Sequence, residues 1–535
     1  MLLNENLREE EGVHVTKQSF IKGTLILLAA GIINRILGFI PRITLPRVIG
    51  AEGIGLYQMG YPFLIVILTL ITGGIPIAIA KLVAEAEAEG NESRIRKIFR
   101  ISMLFTFTIS IIFSIVSFLA AKWISTHLLT DSRVYYTFLT MTPIILIVGI
   151  GSVYRGYFQG RQNMIPTALS QVVETLVRIF TVLAFAYAML PYGIEFAAAG
   201  AMAGVLVGEI AALLVLYYQY RINRRSARSI PQVRIGSNTM TGRWANLKML
   251  LKLAVPITGS KLVGSFSYFF ESIIIVRSLA IAGIATKLAT AQYGALQGMV
   301  MPILMLPSAL TYSLSVSLVP SLSEAAAQND MKTIHSRLHQ SLKLALVTGA
   351  PFAMIMFVLA EPLCLYLYGQ SQVASMLKMM APVALFIYFQ APLQATLQAL
   401  EKPGSALINT LVGSIIKLTL IYLLASKPEF GILGALMAIN LNIMLVTLLH
   451  WRSVVKLLNF RMEMADFAKV GAAMALSGWA SHVIMYTNWL DNELIRFIVS
   501  SILGILVYLI CSVFLKLINR NDLLRILWLG RKFVK

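Results

Sequence analysis

Asn34-Arg35-Ile36-Leu37-Gly38-Phe39-Ile40-Pro41-Arg42 sits inside an apolar run that extends from about Phe20 to Ile49. An arginine at the centre of a bilayer-spanning helix costs at least about 2.5 kcal/mol, so two in one run need a reason. Arg35 and Arg42 are two helical turns apart and project from one face, separated by about 10 Å. That face belongs in a bundle interior or a wet cavity rather than against lipid. Pro41 removes a backbone donor between them and is expected to kink the helix. Two guanidiniums on one face of a bent helix suit an anionic group, phosphate above all. Interfacial snorkelling and a buried structural ion pair are the alternatives.

Outward from this stretch, the composition is that of a membrane protein. Of 535 residues, 58% are hydrophobic and 13% charged, and mean hydropathy is +0.77. Soluble domains run near 45–50% apolar and about 25% charged. The net charge of +21 would raise nucleic-acid binding in a soluble chain. Here the basic residues cluster in short loops between apolar runs, where membrane topology accounts for them, and no nucleic acid is expected. Cys364 and Cys511 both fall in apolar runs and read as packing residues. The N-terminal stretch with Glu5, Arg8, Glu9, Glu10 and Glu11 precedes a run too long and too arginine-rich for a cleaved signal, so it is expected to remain as a tail.

Fourteen stretches are long enough for about 20 residues of helix: roughly 20–48, 54–83, 99–126, 134–158, 164–189, 196–219, 247–279, 284–318, 339–368, 375–399, 405–426, 430–452, 466–488 and 493–517. Loops after even-numbered stretches are basic, most of all the one carrying Arg221, Arg224, Arg225, Arg228, Arg234 and Arg243. The positive-inside rule therefore places both termini in the cytoplasm of a multi-pass protein of the cell membrane.

The chain also repeats itself. An offset of 239 residues pairs Lys22 with Lys261, Gly55 with Gly294, Gln58 with Gln297, Glu85 with Glu324, Asn91 with Asp330 and Arg178 with Lys417. Stretches 1–6 and 7–12 are thus two copies of a six-helix unit. An even number of spans per copy makes the copies parallel, the layout of a transporter that rocks one lobe against the other. The expected organisation is a tail at 1–19, a first lobe at 20–219, a basic linker at 220–246, a second lobe at 247–452, two further helices within 453–517 and a basic tail at 518–535. Arg35 and Arg42 face Ile274 and Ile281 in the repeat. The cationic pair is thus confined to the first lobe, which points to work in the cleft rather than packing.

Glu174 and Arg178 have the spacing of an intrahelical ion pair. Glu271 and Arg277, six apart, do not face each other; Glu271 and Glu174 are candidates for coupling to a proton or sodium ion, as intramembrane acids often are. Glu209 ends a Gly200-x3-Gly204-x3-Gly208 string, a pattern of close helix packing. Gly73, Gly74 and Pro76 break the second stretch, and Pro302 and Pro307 the eighth, at corresponding places in the two copies. Broken helices at matching positions mark moving, cavity-lining elements or static kinks. His335 and His339 are four apart without a third ligand, so no metal is expected. No P-loop occurs. The five aspartates are scattered (Asp131, Asp330, Asp466, Asp491 and Asp522) and no large loop could house a catalytic centre, so an enzyme is not expected.

The stretch from Asn34 to Phe39 resembles the first-helix signature of the MurJ-type lipid II flippases, within the multidrug/oligosaccharidyl-lipid/polysaccharide (MOP) exporter superfamily. Arg155-Gly156-Tyr157-Phe158-Gln159-Gly160, with Pro166 and Ser170 to Arg178, looks like the Gram-positive branch. Lys22 to Leu27 and Lys81 to Ala86 are similar to the stage V sporulation protein B group. The resemblance implies an all-α, MATE-like fold of fourteen transmembrane helices in two six-helix lobes plus two C-terminal helices, with helices 1, 2, 7 and 8 lining a cationic cavity. The family's first arginine matches Arg35. Its second falls at Pro41, one residue before Arg42, and its eighth-helix arginine falls near Pro302, where Arg277 or Lys261 would have to substitute.

These readings lead to a flippase for an undecaprenyl-diphosphate-linked cell-wall precursor, lipid II for peptidoglycan or spore cortex synthesis. Flippases for other polyprenyl-linked units (capsule, teichoic acid) and an ion-coupled drug exporter are the alternatives. Expected head-group contacts are Asn34, Arg35, Arg42, Gln58, Lys261, Arg277 and Gln297, with Pro41, Gly73, Gly74, Pro76, Pro302 and Pro307 as kinks or gates. No cofactor is expected; Na+, H+ or the membrane potential would drive the cycle. The expected partners are the lipid-linked saccharide, membrane lipids and cell-wall synthesis proteins, with the chain itself a monomer.

Overall fold

Apolar runs of this length have one way to satisfy their backbone in lipid, which is to close every hydrogen bond within a helix. The computed structural model describes residues 29–31, 33–228, 243–487, 489 and 491–517, and among these there is no strand. The expected tails at 1–19 and 518–535 and most of the basic linker lie outside the described residues. The helices are α1 (Phe39–Met59, preceded by helical residues at 29–31 and 33–37), α2 (Tyr61–Thr72), α3 (Ile75–Ala88), α4 (Glu92–Trp123), α5 (Val134–Gly160), α6 (Ile165–Met189) and α7 (Ile194–Arg228) in the first half. The second half holds α8 (Arg243–Ile281), α9 (Thr286–Gly294), α10 (Met301–Met305), α11 (Ser308–Ala327), α12 (Met331–Val358), α13 (Ala360–Tyr368), α14 (Ala374–Met380), α15 (Ala384–Ala399), α16 (Pro403–Ala425) and α17 (Ile432–Leu458). The last two are α18 (Met464–Tyr486) and α19 (Glu493–Phe514), packed on each other, with α18 against α12.

Eleven of the described helical stretches are long and apolar enough to cross a membrane. One of them, Ala29–Ala88, holds two segments, because the chain turns inside α1 at Gly50. Gly50 has φ 65° and ψ −178°, a conformation that essentially only glycine adopts. Arg42 consequently lies near Tyr57 and Tyr61, which a straight helix would hold more than about 20 Å away. The interrupted stretch from Thr286 to Ala327 and the helix α18 complete fourteen segments. Their outer faces carry apolar residues such as Leu119, Phe180 and Phe514, each more than 70% exposed. Only lipid contact accommodates so much exposed apolar surface.

The repeat is written into the backbone. Asn91 and Asp330 each cap a helix by accepting from the backbone N–H three residues on, at Arg94 and Thr333. Positive φ recurs at Gly90 and Asn329, at Thr130 and Gly369, and at Gln162 and Glu401, every pair at the same 239-residue offset. Gly193 and Gly431, which open the sixth and twelfth segments, also share positive φ.

Candidate functional site

The two halves meet backbone to backbone where the repeat axis passes between them. A Cβ on Gly55 would fall on the backbone oxygen of Thr290, and a Cβ on Gly294 on the backbone oxygen of Ala51. Ala51 and Thr290 are themselves repeat equivalents, so this is one contact made twice across a pseudo-two-fold axis. Ion pairs surround it on the face opposite the described ends of the chain. Arg133 bridges Asp131 at 2.8 Å and Glu52 at 2.5 Å, Lys287 stands 3.7 Å from Glu52, and Thr290 Oγ1 donates to Asp131 at 2.8 Å. Arg47 of the first half donates to the carbonyls of Tyr366 and Leu367 in the second, where α13 ends. Arg277 of the second half donates to the carbonyl of His127 in the first. His127 and Tyr366 are again repeat equivalents, so each half clasps the other at the same place.

Asp131 is the buried member of this network, 3% exposed. Burial alone would raise its carboxyl, but hydrogen bonds from Arg133 and Thr290 outweigh it and hold the group below the usual carboxylate range. A depressed folded value means the contribution is fully present above the ordinary carboxylate value of about 3.9 and is lost as the pH falls through the folded one. Asp131→Asn should therefore loosen the seam at neutral pH as acid does in the wild type. A cysteine at Ala51, in a chain lacking Cys364 and Cys511, should label at least about fivefold faster in the variant, for a loss of about 1–3 kcal/mol. Equal labelling rates would show that the network does not hold the seam.

Toward the described termini the halves diverge unequally. The second and seventh segments stay packed along their length, α2 and α3 both resting on α8. The Gly73–Gly74 break leaves a carbonyl that Lys261 Nζ caps at 2.7 Å, and Thr69 and Ser265 share a hydrogen bond of 2.8 Å nearby. On the other side of the axis, Ile33, Ile36 and Ile40 of the first segment and Met305, Leu306, Tyr312 and Val316 of the eighth are exposed. Arg35 bridges these two segments, its guanidinium 4.6 Å from the centre of the Tyr312 ring. The eighth segment is loosened by a π turn at Ala295–Val300, after which Pro302 stands in the first turn of α10, and by a break before Ser308, where Pro307 lies. Pro41 stands in the first turn of α1, just after Gly38, whose backbone stays in the right-handed helical region and bonds back to Asn34, so the chain turns at Gly50 rather than at Pro41.

Arg42 is exposed in the space between the halves, an electrostatic neighbour of Tyr57 and Tyr61 from the first and Tyr268 from the second. No carboxylate pairs with it among the described residues. Arg178, on α6, reaches the same two tyrosines from behind. Asn34 Oδ1 is buried and meets no donor among the described residues. The two repeat-related glutamines differ: Gln297 Nε2 donates to Glu271 at 2.9 Å, whereas Gln58 borders Gly298.

The acids of the sequence reading sit behind this space, already paired. Glu174 accepts from Arg178 at 3.0 Å and lies 3.5 Å from Arg155. Glu271 pairs with Lys417 of α16, both side chains 10% exposed. Arg178 and Lys417 are repeat equivalents, so each half buries one cation at the same position and neutralises it differently. Arg277 and Lys261 are placed at the seams rather than beside Arg42. His335 meets the carbonyl of Leu458, and His339 joins Lys343 on the buried Asp466, tying α12 to α18. The sequence reading missed Arg47, Lys417 as an acid's partner, and the tyrosines around Arg42; of these only Lys417 carried a signal, through its match to Arg178.

Comparisons with known proteins agree on the kind of molecule. The polysaccharide biosynthesis protein family matches residues 20–326, and the MatE family residues 265–423. Stage V sporulation protein B of Bacillus subtilis (strain 168) is 41% identical over 525 residues, 97% of this chain and 100% of that one. The lipid II flippase MurJ of the same organism is 27% identical, covering 75% of this chain and 76% of its own length. Among solved structures, a lipid II flippase MurJ in an inward closed conformation superposes with a TM-score of 0.68 at 17% identity, covering 92% of this chain and 99% of that one. An inward-facing multidrug resistance MATE family transporter of the MOP superfamily gives 0.61 at 18% identity, covering 82% and 95%.

Proposed function

This chain belongs to the polysaccharide biosynthesis protein family of the MOP exporter superfamily, and on that premise we propose that it flips an undecaprenyl-diphosphate-linked cell-wall precursor, lipid II, across the cytoplasmic membrane. Membership makes it a multi-pass membrane flippase or transporter; the cargo and the direction are our reading. The observation that carries the reading is Arg42, a cation in the space between the halves with no carboxylate beside it among the described residues. A cavity built for cationic drugs would present acids, and the acids here are already neutralised by Arg155, Arg178 and Lys417.

In this account the described termini are cytoplasmic, as the basic loops suggest, and the cavity opens toward the cytoplasm while the clasped seam faces outward. The diphosphate head enters beside the first and eighth segments, past the Arg35–Tyr312 contact, and Arg42 receives it. The polyprenyl chain stays in lipid along the exposed isoleucines of the first segment. Anion binding removes the cost of an unpaired guanidinium in a closing cavity, so the loaded protein closes more readily than the empty one. The clasps of Arg47 and Arg277 then release and the head leaves outward.

A polyprenyl diphosphate titrated onto the detergent-purified protein tests the assignment. Arg42→Ala should weaken binding about tenfold or more, the loss of one charge-assisted contact of about 1.5–3 kcal/mol. Unchanged affinity in a folded variant would remove Arg42 from the head-group site and with it the lipid-diphosphate reading.

A further inference from the structure

The first half brings two carboxyl groups together inside the membrane. Gly208 of α7 lies so close to α6 that a Cβ there would stand 3.1 Å from the carbonyl oxygen of Glu174 and 3.0 Å from Arg178 Cβ. The next residue, Glu209, is thereby brought within hydrogen-bonding reach of the Glu174 carboxyl. An ionised carboxylate is an acceptor only, so two carboxyl groups bond to each other only by holding a proton between them.

The groups that face this pair come from every neighbouring segment. Arg178 shares α6 with Glu174, Arg155 approaches from α5, Tyr61 from the second segment, and Arg42 from the first lies beyond Tyr61. With both acids ionised, Arg155 and Arg178 balance them. With one proton bound, the cluster carries one positive charge and stands behind the cavity where Arg42 sits.

The second half shows that the fold does not need these acids. Arg155 corresponds to Gln394 and Glu174 to Gly413, and the twelfth segment offers Thr447 and Leu448 at the place of Glu209. There Lys417, at the place of Arg178, is neutralised by Glu271 from the seventh segment, and the places of Arg155 and Glu209 are taken by uncharged contacts: Gln394 with His450 at 3.1 Å, and Gln390 donating to Thr447 at 3.1 Å. Two carboxyls kept in one half alone have a use that packing does not supply.

We propose that Glu174 and Glu209 share one exchangeable proton, and that its uptake is linked to occupancy of the Arg42 cavity by a diphosphate head group. The step is a simple ionisation: the carboxyl O–H breaks, the proton passes to water, and the two carboxylates remain held by Arg155 and Arg178. The linkage rests on the head-group reading above; the proton site itself does not. By reciprocity, a proton that adds positive charge behind an anion tightens it, and the anion tightens the proton by the same factor.

Infrared difference spectra of the ligand-free protein across a pH titration test the site. Wild type should show a carboxylic-acid band that disappears as the pH rises; Glu209→Gln and Glu174→Gln should lack it, and Glu209→Asp should keep it. A band that persists unchanged in both glutamine variants overturns the proton site. Binding of farnesyl diphosphate tests the linkage. Between low and high pH its affinity should change about five- to tenfold more in wild type than in Glu209→Gln, the ligand's own titration being common to both. Identical pH profiles, with the band confirmed, overturn the linkage and leave the site. Absence of any binding, with the band confirmed, counts against the diphosphate reading alone.

Discussion

Gly294→Ala is expected to open the seam between the two halves. The added methyl would land on the backbone of Ala51 and Gly55, where no side chain can rotate away. The two backbones must separate, and overpacking of this kind costs about 1–3 kcal/mol or more. That cost falls only on the conformation in which the seam is closed, so it acts as a population shift of up to about 100-fold toward the opened state. Gly55→Ala meets the backbone of Thr290 by the same symmetry and should act alike. Spin labels on cysteines at Ser132 and Ser371, one on each half beside the seam, would report a longer distance in both variants. Gly259→Ala, whose methyl would meet no atom within 4 Å, supplies the matched control and should leave the distance unchanged. Equal distances in all three would mean that the close approach of Gly55 and Gly294 does not hold the seam.

Lys417→Met should cost more stability than any other single change behind the cavity. It leaves Glu271 in a site where both side chains are only 10% exposed, with Gln297 as its remaining partner. Removing one member of a buried pair typically destabilises by about 3–5 kcal/mol, because an uncompensated charge is left behind. The same logic predicts recovery when both charges go: Glu271→Leu with Lys417→Met should unfold at or above the wild-type temperature in detergent. If the double variant is no more stable than Lys417→Met alone, the pair is not the source of the loss. If the double variant is stable and still translocates, Glu271 has no part in ion coupling.

How much of this was legible beforehand follows from the range of the interactions. The helices and the two-fold repeat could be read from local hydropathy and a constant offset, and the structure repeats even the capping residues Asn91 and Asp330. The turn between the first two segments was placed near its true position because Gly50 sits between apolar runs. The Glu174–Arg178 pair was readable because a helix fixes neighbours four residues apart. Glu271 was not, since its partner Lys417 is 146 residues away on another helix. Arg47 and Arg277 escaped for a different reason: their acceptors are carbonyls, and every residue has one. Charge on a membrane helix therefore told that a cation was needed, but not whether it served cargo or a seam.

The most direct test of the account is transbilayer movement of a labelled polyprenyl-diphosphate saccharide in proteoliposomes, comparing wild type with Arg35→Ala and Arg42→Ala. The account predicts that wild type moves the lipid, that Arg42→Ala abolishes the movement with the fold intact, and that Arg35→Ala slows it by opening the entry beside Tyr312. Movement that survives both substitutions at the wild-type rate would contradict it, and would reduce these arginines to structural residues.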